Sequence, residues 1–294
     1  MRWQGSGRRF IRSGLMRMTR KILFTDLDGT LLDDKKEISR VTYETLAAFL
    51  GDGNLLVLSS GRDINSINEI KERLGLSFPG IYLTGYNGSQ IYDCDNKKTI
   101  YRNGLKTEQA VFIVETALKM GIHCHTYNET HIICHTDVLE SGLNIFNKEF
   151  TFYKKDVHTP VIFSSDLRTD VITEPGKCIA INLDDKTRLE SLRDKILSVY
   201  DDITCLFSCP IFLEIFPASS GKGAALTKLC EILDIPIKNS IASGDQENDL
   251  TMLGAAGFSI AMANAVPTLK NIADVVTEFD NNHDGLAVAL RSIK

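Results

Sequence analysis

Two short stretches set carboxylates together at the ends of apolar runs. In KILFTDLDGTLLD, residues 21–33, the run ends on Asp26 and Asp28 and turns at Gly29 and Thr30. In SIASGDQENDL, residues 240–250, a second run ends on Gly244 and Asp245, with Asn248 and Asp249 close behind. Like charges so close repel one another and resist desolvation, so a fold keeps them together when a cation, a hydrogen-bond network or solvent makes them tolerable. Mg²⁺ suits such a set: it prefers oxygen and is held by one or two carboxylates while water and substrate phosphate complete its shell. The DLDG stretch is not an EF-hand loop, because Gly29 falls at the fourth place instead of the sixth. Lys222, in PASSGKGAAL, opens a helical stretch beside two glycines. A lysine there offers an anion both its ammonium and the free amides of the helix start. The string is not a phosphate-binding P-loop, since no glycine stands five residues before Gly221 and Gly223 follows the lysine.

A scaffold must bring these residues to one place. From residue 21 short β-branched runs alternate with helical stretches, the pattern of a parallel sheet covered on both faces. KILFT, NLLVLSS and GIYLT read as strands, with helices over 39–50, where Ser39 is the N-cap, and 64–74. The rhythm resumes with helix 222–233, strand SIASG, helix 248–255, strand FSIAM, helix 266–272, strand DVVT and helix 284–292. Residues 88–215 read differently, as hairpin pieces (SQIYD with TIYRN, IHCHTY with THIICH, ITCLF with IFLEIF) and helices near 107–120 and 186–199. The fold class expected is α/β: a Rossmann-like parallel-sheet core formed by 19–87 and 216–294, with an α+β cap, 88–215, inserted. Sites in such sheets lie at the carboxyl ends of strands where the winding reverses. Asp26 and Asp28, then Ser60, Gly61 and Arg62 after NLLVLS, and the acids after SIASG should therefore share one crevice.

The chain has 294 residues, is 43% hydrophobic and carries a net charge of −5. Residues 1–21 hold seven basic side chains and no acid; without them 26 basic residues face 38 acidic ones, a balance of −12. An acidic body argues against nucleic acid as partner, and no apolar run is long enough to span a bilayer. The seven scattered cysteines contain no CxxC pair, which suggests neither a disulfide framework nor a zinc knuckle and fits a reducing cytoplasm. The basic residues 1–18 superficially resemble an organellar transit peptide but lack the apolar core of a secretory signal. Their plainer reading is an upstream start, with Met16 or Met18 opening the chain, and disorder is expected in either case.

The ordered series Asp26-Leu27-Asp28-Gly29-Thr30, Ser60-Gly61-Arg62, Lys222-Gly223 and Gly244-Asp245-Gln246-Glu247-Asn248-Asp249 resembles the four motifs of the haloacid dehalogenase superfamily. The large insert, with GYNGSQIYD, LEIFPASSGKGAAL and MANAVPTLKNIADVVTEFDNNHDGLAVAL, is similar to its Cof-type subclass IIB phosphatases, over about residues 19–294. Ser60 stands where threonine is commoner. The resemblance implies a Mg²⁺-dependent phosphatase of small phosphorylated metabolites, sugar phosphates foremost. It implies Asp26 as the nucleophile that becomes an aspartyl-phosphate, and Asp28 as general acid and then base, its neutral form easing the repulsion from Asp26. Mg²⁺ would be held by Asp26, the Asp28 carbonyl and Asp245, with Asp249 behind them. Ser60 and Asn248 would hydrogen-bond the phosphoryl group, Lys222 would neutralise it, and Thr30, Gly61 and Asn87 would lie around phosphate or substrate. Arg62 is either a substrate contact or a surface arginine.

Phosphate monoesters hydrolyse so slowly in water that catalysis has to supply up to ~10²¹-fold, which no single group provides. The competing readings are a phosphotransferase or mutase of the same superfamily, which the large cap disfavours, and a non-catalytic phosphate-binding module. A monomer or weak dimer is expected. In IHCHTYNETHIICH a turn at Asn128 and Glu129 would put His123, His125 and Cys134 on one sheet face and His131 and His135 on the other. Three ligands on a flat hairpin lack a fourth, which disfavours zinc.

Overall fold

The first apolar run becomes a central strand. β1 (Ile22–Asp26), β2 (Leu55–Ser59) and β3 (Ile81–Gly85) are buried along their whole length, as parallel strands covered on both faces must be. Between them run α1 (Arg40–Gly51) and α2 (Ile64–Arg73). Ser39 accepts the Thr42 amide at 3.0 Å and Asp63 the Ser66 amide at 3.0 Å, each serving an amide that the first helical turn leaves without a partner. The computed structural model describes residues 20–136, 144–154, 157, 159–171 and 173–293; the basic segment 1–18 lies outside them.

The hairpin β4 (Gln90–Asp93) and β5 (Lys98–Arg102) corrects the expected boundary at residue 88. It pairs antiparallel onto β3 and extends the core sheet, covering an edge that β3 would otherwise expose. Ile91 is buried in the core cluster while its strand neighbours are half-buried. Alternation of that kind identifies a strand with one covered face; it does not say which sheet the strand joins.

The insert therefore begins after Arg102. It contains α3 (Thr107–Lys119), β6 (His123–Tyr127), β7 (Ile132–His135), α4 (Asn144–Lys154), β8 (Val161–Ser164) and α5 (Leu167–Asp170). It continues through β9 (Cys178–Ile181), α6 (Lys186–Leu197), β10 (Ile203–Cys209) and β11 (Phe212–Pro217). Its six strands are ordered β10-β11-β9-β6-β7-β8, antiparallel except for β7 with β8. Residues alternate across it: Cys124, Ile133, Cys178 and Ala180 pack with α3 and α6, whereas Tyr127, Ile132, Cys134, Ile179 and Ile181 join Tyr86 of the core. His125 lies opposite Cys134, so His123, His125 and Cys134 share the second face, as expected from the hairpin.

The chain re-enters the core with α7 (Lys222–Ile232), β12 (Ser240–Gly244), α8 (Leu250–Ala255), β13 (Phe258–Ala261), α9 (Pro267–Ile272), β14 (Val275–Val276) and α10 (Gly285–Ser292). The eight-stranded order is β14-β13-β12-β1-β2-β3-β4-β5. The winding goes one way from β1 through β2 and β3 and the other way through β12 and β13. The crevice at this reversal opens between the ends of β1 and β12, where Asp26 and Asp245 stand.

Candidate active site

Asp26 ends β1, and the chain turns at Gly29 with φ +82°. A Cβ at Gly29 would sit 2.5 Å from Asp245 Oδ2, so both the positive φ and the close approach of the two loops require glycine. Lys222, the first residue of α7, has no exposed side-chain surface, and its Nζ donates to Asp26 Oδ1 and to Asp249 Oδ1, each at 2.5 Å. Asp249 Oδ2 accepts the amides of Asp245 and Gln246 at 3.0 and 3.1 Å. Both its oxygens are thus committed to holding the loop and the lysine. Asp245 accepts from Thr30 Oγ1 at 2.9 Å and from Gln246 Nε2 at 3.1 Å.

Asp26, Asp245 and Asp249 bring carboxylate oxygens within 4.8 Å of one another. Burial, added to the nearby Asp249 and Asp245 charges, pushes Asp26 up to about 8 although Lys222 pulls the other way. Burial also raises Asp245. For Lys222 burial acts downward, but Asp249 and Asp26 outweigh it and keep the ammonium charged. Three carboxylates around one ammonium leave an excess of buried negative charge, and the all-oxygen donor set fits a hard divalent cation.

Asp28 differs from its expected state. Its carboxylate accepts from Arg62 Nη2 at 3.0 Å and Nε at 3.2 Å and from Lys36 Nζ at 2.7 Å. Burial would raise it, but the Arg62 guanidinium and Lys36 outweigh burial and hold it below the usual carboxylate value. The neutral Asp28 inferred beside an ionised Asp26 is therefore not the state found here, because Arg62 turns into the site and pairs with it.

A cleft of about 350 Å³ opens over this cluster, lined on the core side by Asp26, Asp28, Ser60, Gly61, Arg62 and Asn248. Two other expected residues lie elsewhere. The Thr30 hydroxyl is engaged with Asp245 and its side chain is buried, so it supports the acid. Asn87, also buried, donates from Nδ2 to Glu214 Oε2 at 2.6 Å, placing it beneath the cleft wall. The cap side, which sequence reasoning missed, presents Phe152, Tyr153, Lys177, Ile179, Phe212 and Glu214. Lys177 Nζ donates to Glu214 at 2.9 Å and, across the domain seam, to the Gly61 carbonyl at 2.6 Å. Glu214 was visible as a charge inside the apolar run IFLEIF; the others carried no such signal. The cap rests on the core at further points, with Thr159 donating to Asp63 at 3.1 Å and the Tyr86 and Tyr127 rings 5.1 Å apart.

The comparisons with known proteins agree with this arrangement. The chain is 29% identical over 273 residues to YcsE of Bacillus subtilis, a 5-amino-6-(5-phospho-D-ribitylamino)uracil phosphatase, covering 92% of this chain and 94% of that one. A crystal structure of a haloacid dehalogenase-like hydrolase from Bacteroides thetaiotaomicron superposes with a TM-score of 0.81 at 30% identity, covering 94% of this chain and all of the other. The subclass IIB sugar phosphatase BT4131 shares the fold, with a TM-score of 0.73 at 22% identity over 92% of this chain and 98% of its own. The model of haloacid dehalogenase-like hydrolases matches residues 23–290, a span that takes in all but the first residue of β1, the whole cap and most of α10, and the chain belongs to that family.

Proposed function

We propose that this enzyme is a Mg²⁺-dependent phosphatase of small phosphorylated metabolites, sugar phosphates foremost, acting through an aspartyl-phosphate on Asp26. The observation that carries the reading is the Lys222 ammonium between Asp26 and Asp249, with Asp245 beside them, next to a cleft that Asp26, Ser60 and Asn248 line. Lys222 occupies one oxygen of Asp26 and leaves Oδ2 for attack. That oxygen forms a bond to phosphorus as the bond to the ester oxygen breaks, and Asp28 gives the departing oxygen its proton. A water then attacks phosphorus, Asp28 takes its proton, and phosphate leaves as Asp26 is restored.

Arg62 and Lys36 favour the ionised Asp28, which is the form the second step needs. The first step needs the proton on Asp28 and an ionised Asp26, the reverse of their resting states, so substrate entry has to draw Arg62 from Asp28 toward the phosphoryl oxygens while Asp26 gives up its proton to solvent and Asp28 takes one from it. Ser60 and Asn248 hydrogen-bond those oxygens, and Lys222 offsets their charge. Mg²⁺ held by Asp26, the Asp28 carbonyl and Asp245 would lower the charge repulsion between the phosphoryl group and the buried acids. The ribityl phosphate named for the Bacillus subtilis relative is also a phosphate on a hydroxylated chain.

The test is phosphate release from a panel of sugar phosphates and p-nitrophenyl phosphate, with Mg²⁺ and with chelator, together with the mass of acid-quenched enzyme. Mg²⁺-dependent release and a phosphorylated Asp26 peptide are expected. Undiminished turnover in chelator overturns the metal reading, and turnover with no phosphoenzyme in the quenched sample overturns the covalent one.

A further inference from the structure

The cap contains a buried polar chain that the phosphoryl chemistry does not use. His123 Nε2 and His125 Nδ1 are 3.1 Å apart, His125 Nε2 and the Tyr127 hydroxyl 3.2 Å, and the Tyr127 hydroxyl is bonded in turn to that of Tyr153. His123, His125 and Tyr127 are at most 1% exposed. Tyr153, on α4, is half-buried and lines the cleft. The chain thus runs from the cap interior to the surface that faces substrate.

Burial pushes His123 down to about 4 and His125 well below the ordinary imidazole value, so near neutrality each ring is uncharged, with one N–H and one bare nitrogen. The hydrogen bonds then run in one direction through the two rings, and on to Tyr153 where the single Tyr127 proton is used within the chain. Run outward, His125 donates to Tyr127 and Tyr127 to Tyr153, and the Tyr153 proton is left for the cleft. Run inward, Tyr153 donates to Tyr127 and keeps lone pairs for the cleft. Ring packing fixes the hydroxyl's position: the Tyr153 centroid lies 4.6 Å from that of His125 and 6.1 Å from that of Phe212.

The rest of the cap wall has little left to offer a polar ligand. Lys177 is tied to Gly61 and Glu214, Glu214 also holds Asn87, and Phe152, Ile179 and Phe212 are apolar. Tyr153 makes one hydrogen bond among the described residues, to Tyr127, whereas a phenol can make up to three.

Resting on the phosphatase reading above, we propose that the Tyr153 hydroxyl is a specificity-determining contact for a hydroxyl of the leaving group, and that His123, His125 and Tyr127 position it. A partner that both donates and accepts matches either direction of the chain; a carboxylate or second phosphate, which only accepts, matches one. Lys177, the one cation among the described cap residues that line the cleft, is held by Glu214 and Gly61, so the cap wall suits a neutral hydroxylated leaving group better than an anionic one.

The experiment compares the best sugar phosphate of the panel with p-nitrophenyl phosphate, whose leaving group has no second hydroxyl, in parent, Tyr153→Phe, Tyr127→Phe and the double variant. Tyr153→Phe is expected to raise KM for the sugar phosphate about fivefold to tenfold and leave p-nitrophenyl phosphate within about twofold. Tyr127→Phe should shift the same ratio by less, and should add nothing once Tyr153 is Phe, because it acts only through that hydroxyl. Equal losses for both esters, or additive effects of the two substitutions, mean a merely structural chain and overturn the proposal. Calorimetric Kd values for the same two esters in an Asp26→Asn background, with and without Tyr153→Phe, repeat the comparison without turnover. A parent that hydrolyses no ester overturns the phosphatase reading; an unchanged Kd ratio overturns the role of Tyr153.

Discussion

The two walls of the cleft are built by opposite means. On the core side charge is concentrated: Lys222 bridges Asp26 and Asp249, Asp249 is pinned by two amides, and Asp245 by Thr30 and Gln246. On the cap side charge is cancelled in the Lys177–Glu214 pair, and the remaining surface is aromatic or aliphatic. Excess buried charge suits a group that every phosphate ester shares, because it demands a cation and an anion in fixed places. A neutral wall suits the part that differs between esters, where shape and a single hydroxyl discriminate without a large desolvation penalty. Substitutions on the core wall should therefore act on all substrates alike, and those on the cap wall should act selectively.

The largest effect belongs to Asp26→Asn. Volume is kept and the attacking oxygen is lost, so phosphate release should fall by a factor on the order of 10³ or more for every ester. The fold should survive, since the change removes one of three crowded carboxylates. Substantial residual Mg²⁺-dependent activity in steady-state assays, uniform across the panel, would place the nucleophile elsewhere.

Cation removal comes next, and its pH dependence has a definite sign. Asp26 keeps its proton up to about 8 in the fold, against an ordinary value of 3.8. Above about pH 7, where both buried histidines are neutral in the folded and unfolded chain alike, the fold still binds the Asp26 proton that the unfolded chain has lost, so chelated protein should lose stability as pH rises toward 8. Mg²⁺ binds the ionised acid, and should raise Tm more at pH 8 than at pH 6. Thermal melts in chelator and in Mg²⁺ across this range measure it; parallel curves would show that the acids do not share a cation. Asp26→Asn should flatten the chelator curve.

Gly29→Ala tests the same wall more gently. The new methyl would meet Asp245 Oδ2 at 2.5 Å in a backbone with φ +82°. The strain costs about 1 to 2 kcal/mol, and displacement of Asp245 should raise the Mg²⁺ concentration for half-maximal activity severalfold for all esters. A Mg²⁺ titration identical to the parent's would mean that the loops relax without moving the acid.

The core wall was legible in the sequence because strand ends are local features. Asp26, Asp245 and Ser60 each close an apolar run, and a parallel sheet places such ends together. What was illegible depended on partners distant in sequence. Lys36 and Arg62 reach Asp28 from two different segments, and that pairing reverses the charge state inferred for Asp28. Thr30 and Asn87 stand in the motif strings but point at Asp245 and Glu214 instead of the cleft. The β4–β5 hairpin reads as a strand pair, and only its register on β3 assigns it to the core. Tyr153 lies on a helix between strands of the cap, and nothing in its local pattern marks it as a cleft residue.

The smallest effect is expected from Phe152→Ala, and it is the one that separates the walls most cleanly. Phe152 is 41% exposed, so truncation leaves no sealed cavity and should change stability by less than about 1 kcal/mol. Its ring lies 6.2 Å from that of Phe212, and the pair forms much of the apolar cap wall. A leaving group that covers about 40 Å² of this face gains roughly 1 kcal/mol from it, which is about fivefold in affinity. KM should therefore rise about fivefold for esters with a ring or long carbon chain, and hardly at all for a short one such as glycerol phosphate, while kcat, the Mg²⁺ requirement and the yield of phosphoenzyme stay as in the parent. KM values across leaving groups of graded size decide the matter. A rise independent of leaving-group size, or a fall in phosphoenzyme yield, would show that the cap ring acts on the phosphoryl chemistry and that the two walls are not separable.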